Sequence, residues 1–200
     1  MTTLLQLNTS LYAEHGQSSK LARDFVASWQ ARHPDGRVVV RDLAKQPLPH
    51  LDAERFGAFL AKPEERTDEQ RAVVAESDAL IEELKAADVI VLGLPLYNFG
   101  VPSQLKAWID HIARAGVTFR YTANGPEGLV GGRKLYVFAA RGGQYQGTPA
   151  DTQTGFIQTF FNFLGIRDIE FVYAEGLSMG EAPREVALKK AAAQIERLAA

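Results

Sequence analysis

The sequence predicts an α/β protein in which a five-stranded parallel sheet lies between two layers of helices, as a three-layer sandwich. The first observation is that short apolar runs of strand length alternate with segments of helical periodicity. Such alternation is typical of β-α-β units, which build parallel sheets. The second observation is the run Val-Ile-Val-Leu at 89–92, which is apolar at every position. A strand of this kind is covered on both faces, as in the centre of a sandwich.

The individual elements follow from these two patterns. Five strands are predicted, at Leu4–Leu7, Val38–Val40, Val89–Leu94, Leu135–Ala140 and Ile169–Tyr173. Helical apolar spacing is found in three segments, marked by Leu21 to Trp29, by Leu105 to Ile112, and by Leu188, Ala192, Ile195 and Leu198. The charged segment from Pro63 to Asp88 is predicted to be a largely exposed helix with Ile81 and Leu84 turned inward.

Composition excludes several classes of function. The chain carries 22 basic and 24 acidic residues, a net charge of −2, which gives no indication of binding to nucleic acid or to an anionic membrane. There is no cysteine, so disulfides, thiolate nucleophiles, iron–sulfur clusters and cysteine-based zinc sites are excluded. The four histidines show no metal-ligand spacing, and no metal site is expected.

Length and apolar patterning predict the domain organisation and the compartment. Residues 1–200 are expected to form a single domain, because 200 residues suit one core better than two very small ones. The start Met1–Leu5 lacks the basic and apolar regions of a signal peptide. The longest apolar stretch, Val89–Tyr97, is far too short to span a membrane. We therefore expect a soluble, cytoplasmic protein.

A ligand site is predicted at the loops that follow the first, third and fourth strands, because parallel sheets bind ligands where the strand order reverses. The first loop, Asn8 to Ser19, places hydroxyl groups and a glycine just before a helix, and a helix N-terminus suits a phosphate. The alternative is that Ser18 or Ser19 is only a helix cap. The chain has neither G-x-x-x-x-G-K-[ST] nor G-x-G-x-x-G, which disfavours ATP, GTP and a Rossmann-bound dinucleotide.

The other two loops suit a flat ring. The loop from Pro95 to Ser103 contains two aromatic residues and an amide, which can cover a planar ligand and pair with its edge; alternatively, the aromatic side chains fill the helix–sheet junction. The loop from Ala140 to Tyr145 contains Gly142 and Gly143, whose N–H groups, or the Arg141 side chain, would suit the negative edge of a reduced flavin. Its alternative is an ordinary turn. Together the three loops indicate a mononucleotide with a large planar head.

At these residues the chain resembles the FMN-dependent NADH:quinone oxidoreductase and azoreductase family, which has a flavodoxin-like fold. The resemblance covers essentially the whole chain. It is carried by residues 95–99, 105–110, 115–122, 124–129, 141–143 and 174–176.

The resemblance implies a homodimer with one FMN per subunit and two active sites near the interface. The implied phosphate ligands are Ser10, Gly16, Gln17 and Ser18. The residues implied to flank the ring are Leu96, Tyr97, Asn98 and Phe99 on one side and Ala140, Arg141, Gly142 and Gly143 on the other. Tyr121 and Phe163 match positions that shape the substrate cavity. Gly16 stands where the family often has serine, and Ala140 where a hydroxyl residue is common; the first departure is expected to remove one phosphate hydrogen bond.

The implied chemistry is ping-pong reduction of quinones and azo compounds by NADH or NADPH. The flavin performs the difficult step, so no indispensable acid–base side chain is expected, and Asn98 is hypothesised to orient the edge of the ring. The main alternative is a flavodoxin-type electron carrier without a substrate of its own. Such carriers are usually strongly acidic, whereas this chain is near neutral and has an insertion, Gly116 to Gly132, that could cover a substrate.

An esterase is a weaker alternative. Residues 176–180 form a G-x-S-x-G pattern, but the hydrolase order requires a histidine after the serine. All four histidines precede Ser178, so the pattern fails this requirement.

Overall fold

The computed structural model describes residues 1–199. Its strands are β1 (Thr3–Asn8), β2 (Arg37–Asp42), β3 (Val89–Pro95), β4 (Phe119–Thr122), β5 (Gly125–Gly128), β6 (Lys134–Ala140) and β7 (Asp168–Ala174). Its α-helices are α1 (Gln17–Arg32), α2 (Ala53–Leu60), α3 (Asp68–Ala86), α4 (Ser103–Ile112), α5 (Thr152–Phe163) and α6 (Glu181–Leu198).

Five of the strands form one parallel sheet in the order β2-β1-β3-β6-β7. The five predicted strands are confirmed, each within two residues of its predicted ends. The chain runs outward from β1 to β2 and then returns to β3 on the other side of β1. The strand order therefore reverses between β1 and β3, which is where open parallel sheets bind their ligands.

Helices cover both faces of this sheet. Leu4 on β1 packs in one cluster with Phe25 of α1 and residues of α6, whereas its neighbour Leu5 packs in the other cluster with Trp108 of α4 and residues of α3 and α5. Adjacent strand residues point to opposite faces, so an apolar residue at every position is what two helix layers require. The predicted three-layer α/β sandwich is confirmed.

Two details of the helices differ from prediction. The segment from Pro63 to Asp88 is not one helix, because α3 begins only at Asp68, where Thr67 and Gln70 form a reciprocal capping box. Ile81 and Leu84 do point into the core, as predicted. On α6 the sequence predicted Ala192 on the apolar face, but the buried alanine is Ala191. Both positions are compatible with the helical period, so only the packing decides which of them is buried. Within residues 1–199, no helix combines the length and the apolar character needed to cross a membrane.

The insertion predicted between the third and fourth strands of the sheet contains an antiparallel hairpin. Strands β4 and β5 form a two-stranded sheet of their own, separate from the five-stranded sheet. Gly128 at the end of β5 lies against the backbone of Leu164 and Gly165, so closely that a Cβ atom there would overlap with it. The hairpin is therefore anchored at the C-terminal end of α5.

Candidate active site

The three predicted loops lie side by side at one edge of the sheet. They follow β1, β3 and β6, which are neighbours in that order, so their carboxyl ends meet at the same edge. The Tyr97 hydroxyl links two of the loops: it lies 3.2 Å from Ser10 Oγ and accepts a hydrogen bond of 3.2 Å from the amide of Leu11. The structure thus brings the first and second loops into direct contact.

The start of α1 has the features of an anion site. Its N-cap is Gly16, which offers no side-chain cap, so the alternative that Ser18 or Ser19 is only a helix cap is wrong. Both serines instead lie in the first helical turn, where they are buried and their hydroxyl groups have no partner within residues 1–199. A buried hydroxyl without a partner is costly, and a helix N-terminus favours a negative charge. The turn therefore fits a phosphate.

Close packing surrounds this turn. A Cβ atom on Gly16 would overlap with the Ser10 side chain, so the Ser10 hydroxyl fills the space that a residue larger than glycine would need. Ser10 thus supplies a hydroxyl group beside the position where the family often has serine. On the other side, a Cβ on Gly93 of β3 would lie 3.2 Å from the Ser18 carbonyl oxygen. Glycine at 93 lets the helix start approach the sheet.

The second loop is a tight two-residue turn. The Gly100 amide donates to the Tyr97 carbonyl at 2.9 Å, and the Tyr97 amide donates back at 3.4 Å. Asn98 and Phe99 between them both have positive φ angles, 49° and 58°. This is the geometry of a type I′ turn, which asparagine tolerates and phenylalanine rarely adopts. Phe99 is 54% exposed, so the alternative that it fills the helix–sheet junction is wrong. Leu96 is half-buried.

The N-terminus of α5 holds this turn in place. Thr152 Oγ1 donates to the Phe99 carbonyl oxygen. The buried side chain of Gln153 donates to the carbonyl oxygens of Pro95 at 2.8 Å and Gly100 at 3.0 Å. The sequence patterns did not predict a helix at residues 152–163. The available signal was Asp151, which precedes the helix and caps it through the amide of Thr154.

The third loop exposes backbone groups. A Cβ on Gly142 would lie 2.9 Å from Ser178 Oγ, and one on Gly143 would lie 2.6 Å from the Tyr145 hydroxyl, so a larger residue at either position would have to displace that side chain. Their amides donate no hydrogen bond to any described atom, and Ala140 just before them is buried. The loop therefore presents N–H donors at the edge of the sheet. Ser178 lies beside this loop, with its amide 3.0 Å from the Gly142 carbonyl oxygen.

The Arg141 side chain lies beneath the surface of the third loop. Its guanidinium is completely buried and forms ion pairs with Asp151 at 2.8 Å and Glu175 at 3.0 Å. The prediction that this side chain could contact a flavin edge is therefore wrong, because two carboxylates hold it beneath the surface. Burial raises the pKa of Asp151, but the hydrogen bonds from Arg141 and Thr154 outweigh burial and lower that pKa below its ordinary value.

The two predicted substrate residues lie together but far from the loops. The Phe119 ring centroid lies 5.6 Å from that of Tyr121 and 4.4 Å from that of Phe163. Phe163 ends α5, whereas Thr152 begins it beside the second loop. At about 1.5 Å of rise per residue, roughly 16 Å of helix separates them. One chain therefore does not bring Tyr121 and Phe163 to the edge where the three loops meet.

Comparisons with known proteins agree with this geometry. A family model described as "Flavodoxin-like fold" matches residues 2–199. A protein of Cellvibrio japonicus named FMN-dependent NADH:quinone oxidoreductase is 55% identical over 190 residues, which is 95% of this chain and 96% of that protein. This chain belongs to the FMN-dependent NADH:quinone oxidoreductase family.

The chain also superposes on solved structures of azoreductases. The crystal structure of an azoreductase from Bacillus anthracis superposes with a TM-score of 0.91 at 31% identity, covering 100% of this chain and 99% of that one. An FMN-dependent NADH-azoreductase of the same species, solved in complex with FMN, gives a TM-score of 0.90 at 28% identity, covering 100% and 98%. The predicted family and its flavodoxin-like fold are thereby confirmed.

Proposed function

We propose that this protein is an FMN-dependent oxidoreductase that transfers two electrons from NADH or NADPH to quinones and to aromatic azo compounds, which it cleaves to amines. The observation that carries the proposal is the pair of buried hydroxyl groups of Ser18 and Ser19, which have no partner among residues 1–199. They lie at a helix start without a side-chain cap, directly beside two loops suited to a flat ring. The names of the family's members, FMN-dependent NADH:quinone oxidoreductase and NADH-azoreductase, supply the reaction.

We assign the residues as follows. Ser10, Gly16, Gln17 and Ser18 would bind the phosphate, where the helix N-terminus favours negative charge. The residues flanking the ring would be Leu96, Tyr97, Asn98 and Phe99 on one side and Ala140, Arg141, Gly142 and Gly143 on the other. For Arg141 this contribution is limited to the backbone, because its side chain is buried. Residues 1–200 would act as one FMN-binding domain.

FMN supplies the two-electron redox chemistry when bound, which no side chain of this protein can perform. The protein's residues bind it, orient it and shield it from water. We propose a ping-pong sequence, in which the nicotinamide nucleotide leaves before the acceptor enters the same cavity. No acid–base side chain is required, and the carboxylates nearest the third loop, Asp151 and Glu175, are already engaged by Arg141.

We further propose that the protein acts as a homodimer in the cytoplasm, with one FMN per subunit and two active sites near the interface. Tyr121 and Phe163 lie too far from their own chain's loops to line the same cavity, so a second copy would have to supply them. The exposed face of α5 supports this arrangement. It carries an apolar groove of about 450 Å³ lined by Gly155, Phe156, Thr159, Phe160 and Phe163.

The deciding experiment is the visible spectrum of the purified protein without oxygen, before and after NADH is added. Flavin bands that bleach with NADH and return when a quinone is added would support the proposal. Flavin that stays oxidised with NADH would favour the second candidate, a flavodoxin-type electron carrier, which the shared fold permits. A protein that cannot be loaded with FMN would refute both.

Ser18 provides a direct test of the phosphate site. Ser18→Ala is expected to weaken FMN binding about 10- to 150-fold, since a hydrogen bond to a charged group contributes about 1.5–3 kcal/mol. The FMN-free protein should lose no stability, because the hydroxyl is buried without a partner in the described part of the chain. Fluorescence titration with FMN and urea unfolding measure the two effects. Ser28→Ala, at a half-buried serine about three turns further along the same helix whose hydroxyl donates to the Asp24 carbonyl oxygen, is the control and should leave FMN affinity unchanged and stability nearly so.

Asn98 tests whether a side chain orients the ring. Asn98→Ala removes the amide and also places alanine at a φ of 49°, whereas Asn98→Gly removes the amide without backbone strain. If the amide orients the ring, both variants should lose turnover with quinone by about fivefold or more, since one hydrogen bond contributes about 1 kcal/mol or more. Full FMN affinity and full turnover in Asn98→Gly would remove this role from Asn98.

The proposed dimer depends on the apolar groove of α5. Phe160→Asp places a charge in that groove and is expected to convert the dimer to a monomer and to lower quinone reduction, because a buried unpaired charge is strongly unfavourable. Analytical ultracentrifugation and steady-state assays measure these effects. Gln158→Asp, at an exposed position of the same helix, is the control. A wild-type protein that sediments as a monomer while fully active would contradict the dimer proposal.

A further inference from the structure

A buried ion network lies beneath the second and third loops. The Arg141 guanidinium binds Asp151 and Glu175 at 2.8 and 3.0 Å, and it stacks 5.1 Å from the ring centroid of Tyr173. The side chains of Asp151 and Glu175 are only 7% and 14% exposed. The network lies below the surface at which a ligand would bind. Each carboxylate is nevertheless connected by hydrogen bonds to one of the two loops.

Glu175 holds the third loop. Its Oε1 atom accepts hydrogen bonds from the amides of Tyr145 and Gln146, both at 3.0 Å. These residues follow Gly143 closely, so the carboxylate fixes the backbone beside the free amides of Gly142 and Gly143. The Tyr145 ring in turn makes an edge contact with Phe99 of the second loop, with 5.5 Å between ring centroids.

Asp151 holds the second loop through α5. It accepts from the amide of Thr154 at 3.1 Å and from its hydroxyl at 2.9 Å, which fixes the first turn of the helix. That turn carries Thr152, which donates to the Phe99 carbonyl oxygen, and Gln153, which donates to the carbonyl oxygens on either side of the turn. Asp151 of the network thus caps the start of α5, and the first turn of α5 in turn hydrogen-bonds to the second loop.

Two chains of contacts thus lead away from the network, one from Asp151 and one from Glu175, and we call them its two arms. Both arms end at Phe99. One arm reaches its carbonyl oxygen through Thr152, and the other reaches its ring through Tyr145. Phe99 has a φ of 58°, a conformation that a bulky residue keeps only where its surroundings impose it. The two arms supply that constraint, one at the carbonyl oxygen and the other at the ring.

We propose that Asp151, Arg141 and Glu175 are positioning residues for the flavin ring. They hold the second and third loops at a fixed distance from each other. The gap between Phe99 and Gly143, which would receive the ring, is therefore already formed before FMN binds. None of the three side chains contacts the cofactor; they act through the two loops. This inference rests on the proposed function, since it places the FMN ring between these loops.

The first test compares Glu175→Ala with Glu175→Gln. The alanine variant releases the amides of Tyr145 and Gln146, whereas glutamine keeps an oxygen that can accept from them. We expect Glu175→Ala to weaken FMN binding about tenfold or more and to alter the visible circular dichroism of bound FMN, and Glu175→Gln to recover most of both. Glu170→Ala, on β7, the strand that ends just before Glu175, is the matched control.

The second test is a double-mutant cycle in FMN affinity between Glu175→Ala and Thr152→Val, one substitution in each arm. If the arms act together, the double variant should lose at least about threefold less affinity than the product of the two single losses. The control cycle joins Glu175→Ala with Ser18→Ala in the phosphate turn and should be multiplicative.

The outcomes separate this inference from the proposed function. Wild-type circular dichroism and affinity in Glu175→Ala, or multiplicative losses in the first cycle, would overturn the inference while leaving FMN binding intact. If Glu175→Ala does not fold, Tyr145→Leu, which removes the ring contact with Phe99 in the same arm, replaces it in the cycle with Thr152→Val under the same criterion. A wild-type protein without affinity for FMN would overturn the proposed function instead.

Discussion

Arg141→Met is expected to lower the free energy of unfolding by about 3–5 kcal/mol at neutral pH, the usual consequence of removing one partner from a buried ion pair. Methionine fills a similar volume but leaves the carboxylates of Asp151 and Glu175 without their cation. Both are largely buried, so water cannot compensate fully. Urea unfolding of the FMN-free protein measures the loss. Arg120→Met, whose pair with Glu127 is exposed, is the control and should change stability little.

The same variant has a pH signature. The pKa of Asp151 is lowered in the folded protein. Its ion pair with Arg141 therefore stabilises the wild type fully at a pH above the pKa that Asp151 has in the unfolded chain, about 3.9. That contribution is lost as the pH falls through the lower, folded pKa. Arg141→Met lacks it at every pH, so the stability gap between wild type and variant should narrow as the pH falls from 5 toward 3. A gap that is constant over this range would contradict the role assigned to Asp151.

Trp108→Ala is expected to cost about 3–5 kcal/mol of unfolding free energy, as large-to-small substitutions of buried aromatic residues do. Trp108 lies on α4, is completely buried, and packs in the cluster that joins α3 and α4 to the sheet. We expect the cavity left by the missing indole to stay open, because sheet residues such as Ile90 and Leu92 are held in place by their neighbouring strands.

Trp108→Phe distinguishes cavity formation from other effects. Phenylalanine keeps most of the volume, and the indole N–H that is lost has no partner among the described residues. Its cost should be near or below about 1.5 kcal/mol, as for other conservative core replacements. Equal losses in the two variants, measured by urea unfolding, would show that volume is not what Trp108 contributes.

The sequence by itself determined the fold class, the strands and the position of the three loops. These features depend on local patterns: strand length, helical period, and the rule that neighbouring parallel strands end at one edge. The apolar run at 89–92 requires covering on both faces, whatever the remaining chain does. Ser18 could be singled out because a serine at a helix start has only a few possible roles, although the sequence did not distinguish a cap from a phosphate ligand.

Only the tertiary structure decided what Arg141 does. Its partners lie 10 and 34 residues away in the chain, and no local pattern indicates that both carboxylates converge on one guanidinium beneath the surface. The same applies to α5: its composition did not indicate a helix, but packing on the sheet and the Asp151 cap define it. The separation of Tyr121 and Phe163 from the loops is likewise a property of the folded chain. Contacts between distant residues form because the sheet brings its strand ends together, and that arrangement is absent from any short stretch of sequence.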